Sequence, residues 1–113
     1  MSKITTHVLD VSMGRPAANV SIVLESRSSA AAWSEVSRGV TDNDGRLKDL
    51  ATDKNLSAGI YRLTFDTGAY FAKRQVESLY PKITVQFEVK AGQEHYHIPL
   101  LLSPFGYSTY RGS

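Results

Sequence analysis

The chain has 113 residues and a formal net charge of +2, with 13 Lys and Arg, 11 Asp and Glu, and no cysteine. This length predicts a single domain, residues 1–113, and the near balance of charges argues against nucleic acid as a partner. Disulfides and thiolate chemistry are excluded. The longest uncharged stretch, residues 95–110, is too short and too polar to span a membrane. No stretch of signal-peptide type begins the sequence, so we expect a cytoplasmic protein that needs no membrane partner.

The pattern of apolar residues along the chain predicts mostly strands. Alternation begins almost at the N-terminus, and a turn-forming cluster at residues 41–45 places Arg46 at the start of a short strand. Between Asp66 and Tyr80 the alternation stops, which predicts one helix of two or three turns before Pro81. Short runs of β-branched, aromatic or aliphatic residues predict further strands at 20–24, 36–41, 60–65, 83–90 and 95–102. Together these elements predict a β-sandwich with one helix.

The three histidines are candidates for chemistry. In a regular strand His95 and His97 lie on one face, whereas Glu94 points to the other. A strand histidine is more often a surface or hydrogen-bonded residue than a catalyst, and this structural interpretation stays open for all three. A zinc site formed by His7, His95 and His97 is an alternative, but the spacing is a weak signal and offers no carboxylate, so we predict no metal.

A hydrolytic reaction, if there is one, would have to use water. The chain has no cysteine and no G-x-S-x-G motif for a nucleophilic serine. An imidazole can take a proton from water near neutral pH, and a guanidinium such as that of Arg46 can hold an anionic group. A solvated charge at the end of a strand is the competing interpretation of Arg46.

The last segment, residues 105–113, is polar and aromatic, and its composition is that of an ordinary last strand tied to the fold. It is also one of several segments that resemble a known family, the transthyretin-related proteins that are 5-hydroxyisourate hydrolases of purine breakdown. The resemblance covers nearly the whole chain. The matching segments are 6–10 (Thr-His-Val-Leu-Asp), 14–17 (Gly-Arg-Pro-Ala), 44–46 (Asp-Gly-Arg), 95–104 and the terminal 107–113 (Tyr-Ser-Thr-Tyr-Arg-Gly-Ser).

The resemblance implies a fold, an assembly and a site. The implied fold is a transthyretin-like sandwich of two sheets with eight strands and one short helix. Four copies would form a homotetramer with active sites in a central channel, and no cofactor would be required. By position, the catalytic residues would be His7, Arg46 and His97, and the substrate-binding tail would be Tyr110, Arg111, Gly112 and Ser113. His95 falls outside the implied trio and would be a rim or structural residue.

The implied reaction is the hydrolytic opening of the lactam in the six-membered ring of 5-hydroxyisourate, which gives a carboxylated ureidoimidazoline. One of His7 and His97 would activate water, and the sequence does not say which. A non-catalytic carrier of transthyretin type is the main alternative, although the histidine, arginine and tail positions differ in those carriers. A generic sandwich module for adhesion or sugar binding would leave the coincident motifs unexplained.

Overall fold

Nine strands and one helix make up the part of the chain that the computed structural model describes, residues 3–51, 57–92 and 95–112. The predicted strands and the single helix are confirmed. The eight strands implied by the resemblance become nine, a count that includes the two-residue β2. In chain order the elements are β1 (Lys3–Asp10), β2 (Arg15–Pro16), β3 (Ser21–Arg27), β4 (Trp33–Val40), β5 (Arg46–Ala51), β6 (Gly59–Phe65), α1 (Thr67–Lys73), β7 (Ile83–Val89), β8 (His95–Ser103) and β9 (Gly106–Thr109).

The strands form two sheets. In the first sheet the order is β2-β1-β8-β9, and β5 pairs with β1 on the same edge as β2. In the second sheet the order is β4-β3-β6-β7. The β1–β8 pair is parallel and every other pair is antiparallel. The parallel register sets Thr5 opposite His97 and thereby fixes which residues of β1 and β8 are neighbours.

Alternation along β1 and β8 separates a core face from an outer face. On β1 the buried residues Ile4 and Val8 are fully enclosed, and on β8 Ile98 and Leu100 are buried with them. The outer face therefore carries the residues between them, which include all three histidines. The second sheet covers the core from the other side with Ile22, Leu24, Leu63 and Phe65.

The helix is tied to the end of β1 by a buried carboxylate. Asp10 is fully buried and accepts hydrogen bonds from the Tyr70 hydroxyl (2.8 Å), from Arg74 Nη1 (2.9 Å) and from Ser12. Burial raises the pKa of Asp10, but these hydrogen bonds and the Arg74 charge outweigh burial and hold its pKa below the ordinary value.

Among the described residues, no helix is long and apolar enough to cross a membrane.

Candidate functional site

Three neighbouring strands of the first sheet bring the predicted catalytic residues to one outer face. β5, β1 and β8 lie side by side, with His7 opposite Arg46 and Thr5 opposite His97. His7 and Arg46 are thus cross-strand partners, whereas His97 lies one strand further along. The structure therefore brings all three predicted residues to one face, although they come from distant parts of the sequence.

The turn before β5 fixes the position of Arg46. Asp42 Oδ1 accepts hydrogen bonds from the backbone N–H groups of Asp44 (2.9 Å) and Arg46 (3.0 Å). Gly45 has a φ of +74°, and a Cβ there would lie 2.3 Å from the Val8 carbonyl oxygen, so the turn requires glycine. The Val8 N–H in turn donates to the Gly45 carbonyl at 2.7 Å. The turn is held against β1, and Arg46 starts its strand in a defined place.

His7 is held by a backbone carbonyl of the same turn. Its Nε2 lies 2.9 Å from the Asp44 carbonyl oxygen. Because a carbonyl oxygen only accepts, Nε2 carries the proton in this contact. When the ring is neutral, Nδ1 is then the nitrogen that can accept a proton.

His97 is half-buried and has a lowered pKa. Its Nδ1 lies 2.7 Å from the Thr5 hydroxyl oxygen. Burial lowers the pKa of His97 most, and the charges of His95, Arg46 and His7 lower it further. His97 is therefore the histidine that stays neutral to lower pH than usual, which suits a proton acceptor.

The C-terminal tail packs against His97. The Gly112 N–H donates to the His97 carbonyl at 2.7 Å, and a Cβ at this glycine would lie 2.5 Å from His97 Cδ2. Arg111 lies over the Tyr96 ring, and its Nη2 donates to the His95 carbonyl. Tyr110 is exposed, and Ser113 lies outside the described residues. Gly112 thus joins the predicted tail to a predicted catalytic residue by a backbone hydrogen bond.

A pocket of about 210 Å³ opens on this face and is rich in positive charge. Arg46 and His97 line it, whereas His7 and the tail residues Tyr110, Arg111 and Gly112 lie outside its lining. Among the described residues the lining contains no carboxylate, which favours a ligand that carries or develops negative charge. The lining residues are Lys3, Thr5, Thr6, Arg46, Lys48, His95 and His97.

The zinc alternative would need His7, His95 and His97 in one cluster. In the described part of the chain, no group of three or more His, Cys, Asp or Glu side chains is arranged to hold a metal ion. The rings of His95 and His97 have centroids 6.3 Å apart, and both rings face the Thr5 hydroxyl through a nitrogen. His95 and His97 therefore have the Thr5 hydroxyl as a common hydrogen-bonding partner.

Four pocket residues were not predicted from the sequence as site residues: Thr5, Thr6, Lys3 and Lys48. Thr5 precedes His7 by two residues, so strand periodicity could have placed it on the same face. Its contact with His97 depends on the parallel pairing of β1 with β8, which no local pattern reveals. The same pairing brings Lys3 beside His95.

A larger cavity, of about 530 Å³, lies between α1 and residues 16–21 and contains no predicted site residue. Its lining includes Asp66, Tyr70, Lys73 and Arg74. Tyr70 and Arg74 already donate to Asp10, so much of its polar lining serves the fold. The chemistry of the smaller pocket makes it the better candidate despite its size.

Comparison with known proteins places the chain beside enzymes and carriers. The model of the HIUase/Transthyretin family matches residues 4–112. The chain is 44% identical over 110 residues to the 5-hydroxyisourate hydrolase of Salmonella typhimurium, covering 97% of this chain and 80% of that protein. The structure of Klebsiella pneumoniae 5-hydroxyisourate hydrolase aligns with a TM-score of 0.86 and 39% identity, covering 100% of this chain and 94% of the other. Sea bream transthyretin in complex with thyroxine aligns with a TM-score of 0.92 and 33% identity, covering 96% and 93%.

Proposed function

Because this chain belongs to the HIUase/Transthyretin family, we propose that it is a 5-hydroxyisourate hydrolase. The reaction is the hydrolysis of the lactam of 5-hydroxyisourate to the carboxylated ureidoimidazoline. The observation that carries the proposal is the grouping of His7, Arg46 and His97 on the outer face of three adjacent strands. An enzyme that hydrolyses an amide with water needs a base, a cation and a proton donor close together, and these side chains can supply them.

We assign the general base to His97. Its pKa is lowered by burial and by the neighbouring charges, so the ring is neutral near neutral pH. A neutral imidazole can take a proton from water as the water oxygen bonds to the lactam carbonyl carbon. The contact with Thr5 occupies Nδ1 of His97, so Nε2 is the nitrogen that can accept the proton from water.

Arg46 is assigned to the substrate and to the developing oxyanion. Its guanidinium keeps its charge at all relevant pH values and offers several N–H donors. Lys3 and Lys48 line the same pocket and add positive charge. The amide carbonyl oxygen gains negative charge as water adds to it, and a pocket of this sign stabilises that charge more than the ground state.

His7 is assigned the return of a proton to the leaving nitrogen. The Asp44 carbonyl accepts from His7 Nε2 and orients the ring, so Nδ1 is the nitrogen that can exchange a proton with the substrate. A protonated His7 can then donate from Nδ1 when the C–N bond breaks. His97 gains one proton from water and His7 gives one proton to the leaving nitrogen. The combined charge of the two histidines is therefore the same before and after the reaction.

The proposal includes a homotetramer that uses a small-molecule substrate, with Tyr110, Arg111, Gly112 and Ser113 shaping the site. Gly112 supports the role of the tail because its N–H donates to the His97 carbonyl and leaves no room for a Cβ beside the ring. The pocket is open in a single chain, and a second copy against the outer face would shield it from water. Neither nucleic acid nor a membrane has a part in the proposal, and cytoplasmic location stays a prediction that cell fractionation would test.

A carrier for a small aromatic ligand is the second candidate function. It is favoured by the alignment with sea bream transthyretin, whose TM-score of 0.92 exceeds that of the Klebsiella hydrolase. Backbone similarity does not separate the two functions, since one fold can hold different sites. The histidines and arginine of the outer face favour the enzyme, because carriage of a ligand requires no proton transfer.

The deciding experiment follows the ultraviolet absorbance of 5-hydroxyisourate generated freshly from urate by urate oxidase. Wild type should accelerate the decay, and His7→Ala, Arg46→Ala and His97→Ala should each lose roughly 100-fold or more of the rate while remaining folded. His95→Ala is the matched comparison, a histidine on the same strand outside the predicted trio. Decay no faster than the spontaneous reaction with folded wild type would reject the enzyme, and ligand binding without turnover would support the carrier.

A further inference from the structure

The Thr5 hydroxyl lies between two imidazole rings. Its oxygen is 2.7 Å from His97 Nδ1 and 3.3 Å from His95 Nε2. The side chain is largely enclosed, with 7% of its surface exposed, and these are its two hydrogen-bond contacts within the described residues. The parallel register of β1 and β8 sets Thr5 directly opposite His97 and holds the three groups together.

A hydroxyl has a single hydrogen to donate, although its oxygen can accept two hydrogen bonds. Thr5 can therefore donate to only one of the two imidazole nitrogens at a time. If both contacts are hydrogen bonds, the other ring must donate its own N–H to the Thr5 oxygen. The choice of which His97 nitrogen carries the proton therefore depends, through the Thr5 hydroxyl, on which His95 nitrogen carries one.

We propose that Thr5 is a positioning residue that keeps the proton of neutral His97 on Nδ1. In this arrangement His97 Nδ1–H donates to the Thr5 oxygen, and the Thr5 hydrogen is donated to His95 Nε2. His97 Nε2 is then unprotonated and can act as the base. The opposite arrangement, with Thr5 donating to His97 Nδ1, would put the His97 proton on Nε2 and block that nitrogen.

The inference rests on the proposed function, in which His97 is the general base. During the reaction the water O–H bond breaks, the oxygen bonds to the lactam carbon, and the proton goes to His97 Nε2. The ring then carries both N–H groups, and its Nδ1–H stays on Thr5 throughout. Thr5 itself gives up no proton, so it acts by orienting the ring and fixing its tautomer.

The experiment compares Thr5→Val with Thr5→Ser. Valine has the shape of threonine without the hydroxyl, whereas serine keeps the hydroxyl. Thr67→Val is the control, because the buried Thr67 hydroxyl at the start of α1 donates to the Tyr80 carbonyl at 3.3 Å, away from the pocket. It reports the cost of losing a buried threonine hydroxyl without removing a contact to an imidazole.

Two readouts are measured on each protein. Nitrogen-15 NMR of histidine-labelled protein without substrate identifies the protonated nitrogen of His97, and steady-state assays give kcat and KM separately. We expect the proton on Nδ1 in wild type, Thr5→Ser and Thr67→Val, and a mixture or the other tautomer in Thr5→Val. We expect kcat of Thr5→Val to fall roughly 10- to 100-fold, with KM changing less and Thr5→Ser recovering most of the loss.

A wild-type proton on Nε2, or a tautomer and kcat that Thr5→Val leaves unchanged, would overturn the assignment. A fall in kcat that Thr5→Ser fails to recover would also overturn it, because a merely structural role would explain it. Failure of the proposed function is a separate result. It would appear as absent hydrolysis in wild type, while the NMR measurement would still decide the tautomer.

Discussion

At the scale of single residues, the low pKa of His97 has a consequence for the pH dependence of hydrolysis. Activity needs the neutral ring, so kcat/KM falls as the pH falls through the His97 pKa. Because that pKa lies below its ordinary value of 6.5, we expect the acid limb of the profile to have its midpoint below 6.5. The charged groups around His97 are Lys3, His7, Arg46, Lys48 and His95.

Replacing His95 tests this explanation. His95→Asn removes a neighbour whose charge lowers the His97 pKa, so the acid limb should move upward. His95→Lys keeps a positive charge and should leave the limb low. The measurement is kcat/KM from pH 5 to 8 for the three proteins, and equal limbs in all of them would show that the His95 charge does not lower the pKa that controls the limb.

Gly112 carries a second prediction at this scale. A Cβ at this position would come within 2.5 Å of His97 Cδ2 and 3.4 Å of Pro99 Cγ, so Gly112→Ala must displace the tail or the ring. Displacement of a reacting group by about 1 Å can cost up to about 100-fold in rate. We expect kcat to fall by about 10- to 100-fold with little change in the melting temperature.

Gly106→Ala is the matched control for Gly112→Ala. The nearest atom to a Cβ at Gly106 is Ser103 Oγ at 3.7 Å, an ordinary contact. Both glycines belong to the C-terminal segment, but of the two only Gly112 would bring an added Cβ against the ring of His97. Similar kcat values for the two variants would remove the tail from the proposed site.

At the scale of elements, the Asp10 contacts that hold α1 to β1 predict a stability effect. Asp10→Asn removes the charge that pairs with Arg74 while keeping the shape of the side chain. We expect the free energy of unfolding to drop by about 2–4 kcal/mol, because the Arg74 cation loses its buried partner. Urea unfolding at pH 7 measures the difference.

The same carboxylate predicts the sign of a pH effect on stability. The pKa of Asp10 is lowered in the folded protein, so its contribution is complete above the unfolded value of 3.8 and is lost as the pH falls through the lowered pKa. Asp10→Asn should lack this loss. Asp66→Asn is the control, since Asp66 precedes α1 without a side-chain capping hydrogen bond and should change stability by well under 1 kcal/mol.

The strands were predictable from the sequence because each buries one face, and their pairing was not. Ile83, Val85, Phe87 and Val89 alternate with polar residues, and β7 occupies the predicted range. In contrast, the contact of Thr5 with His97 joins residues 92 positions apart, and only tertiary pairing creates it. Motif resemblance supplied His7, Arg46 and His97 together, since residue spacing could not place them on one face.

At the scale of the whole molecule, the free edges of the two sheets indicate where copies would meet. On one side of the sandwich, β4 of the second sheet lies against β5 of the first sheet. The strands that end the two sheets on the opposite side are β7 and β9. Phe105, directly before β9, and Tyr107, on β9, are 61% and 44% exposed. Exposed aromatic residues beside a strand edge are typical of an interface between subunits.

We therefore expect wild type to sediment at four times the mass of one chain, and Phe105→Glu combined with Tyr107→Lys to sediment below that mass. In the assembled protein the new charges would be buried against the partner and would lose their contact with water, which destabilises the interface. On the surface of a single chain the same charges stay hydrated and cost little. Val40→Lys is the control, because Val40 is 51% exposed on β4, the opposite edge. If the wild type sediments as one chain, the shared-channel arrangement is wrong and the outer face of the first sheet must work open to water. If the double variant loses the tetramer and turnover together while His97 keeps its tautomer, assembly supplies the exclusion of water that the single chain lacks.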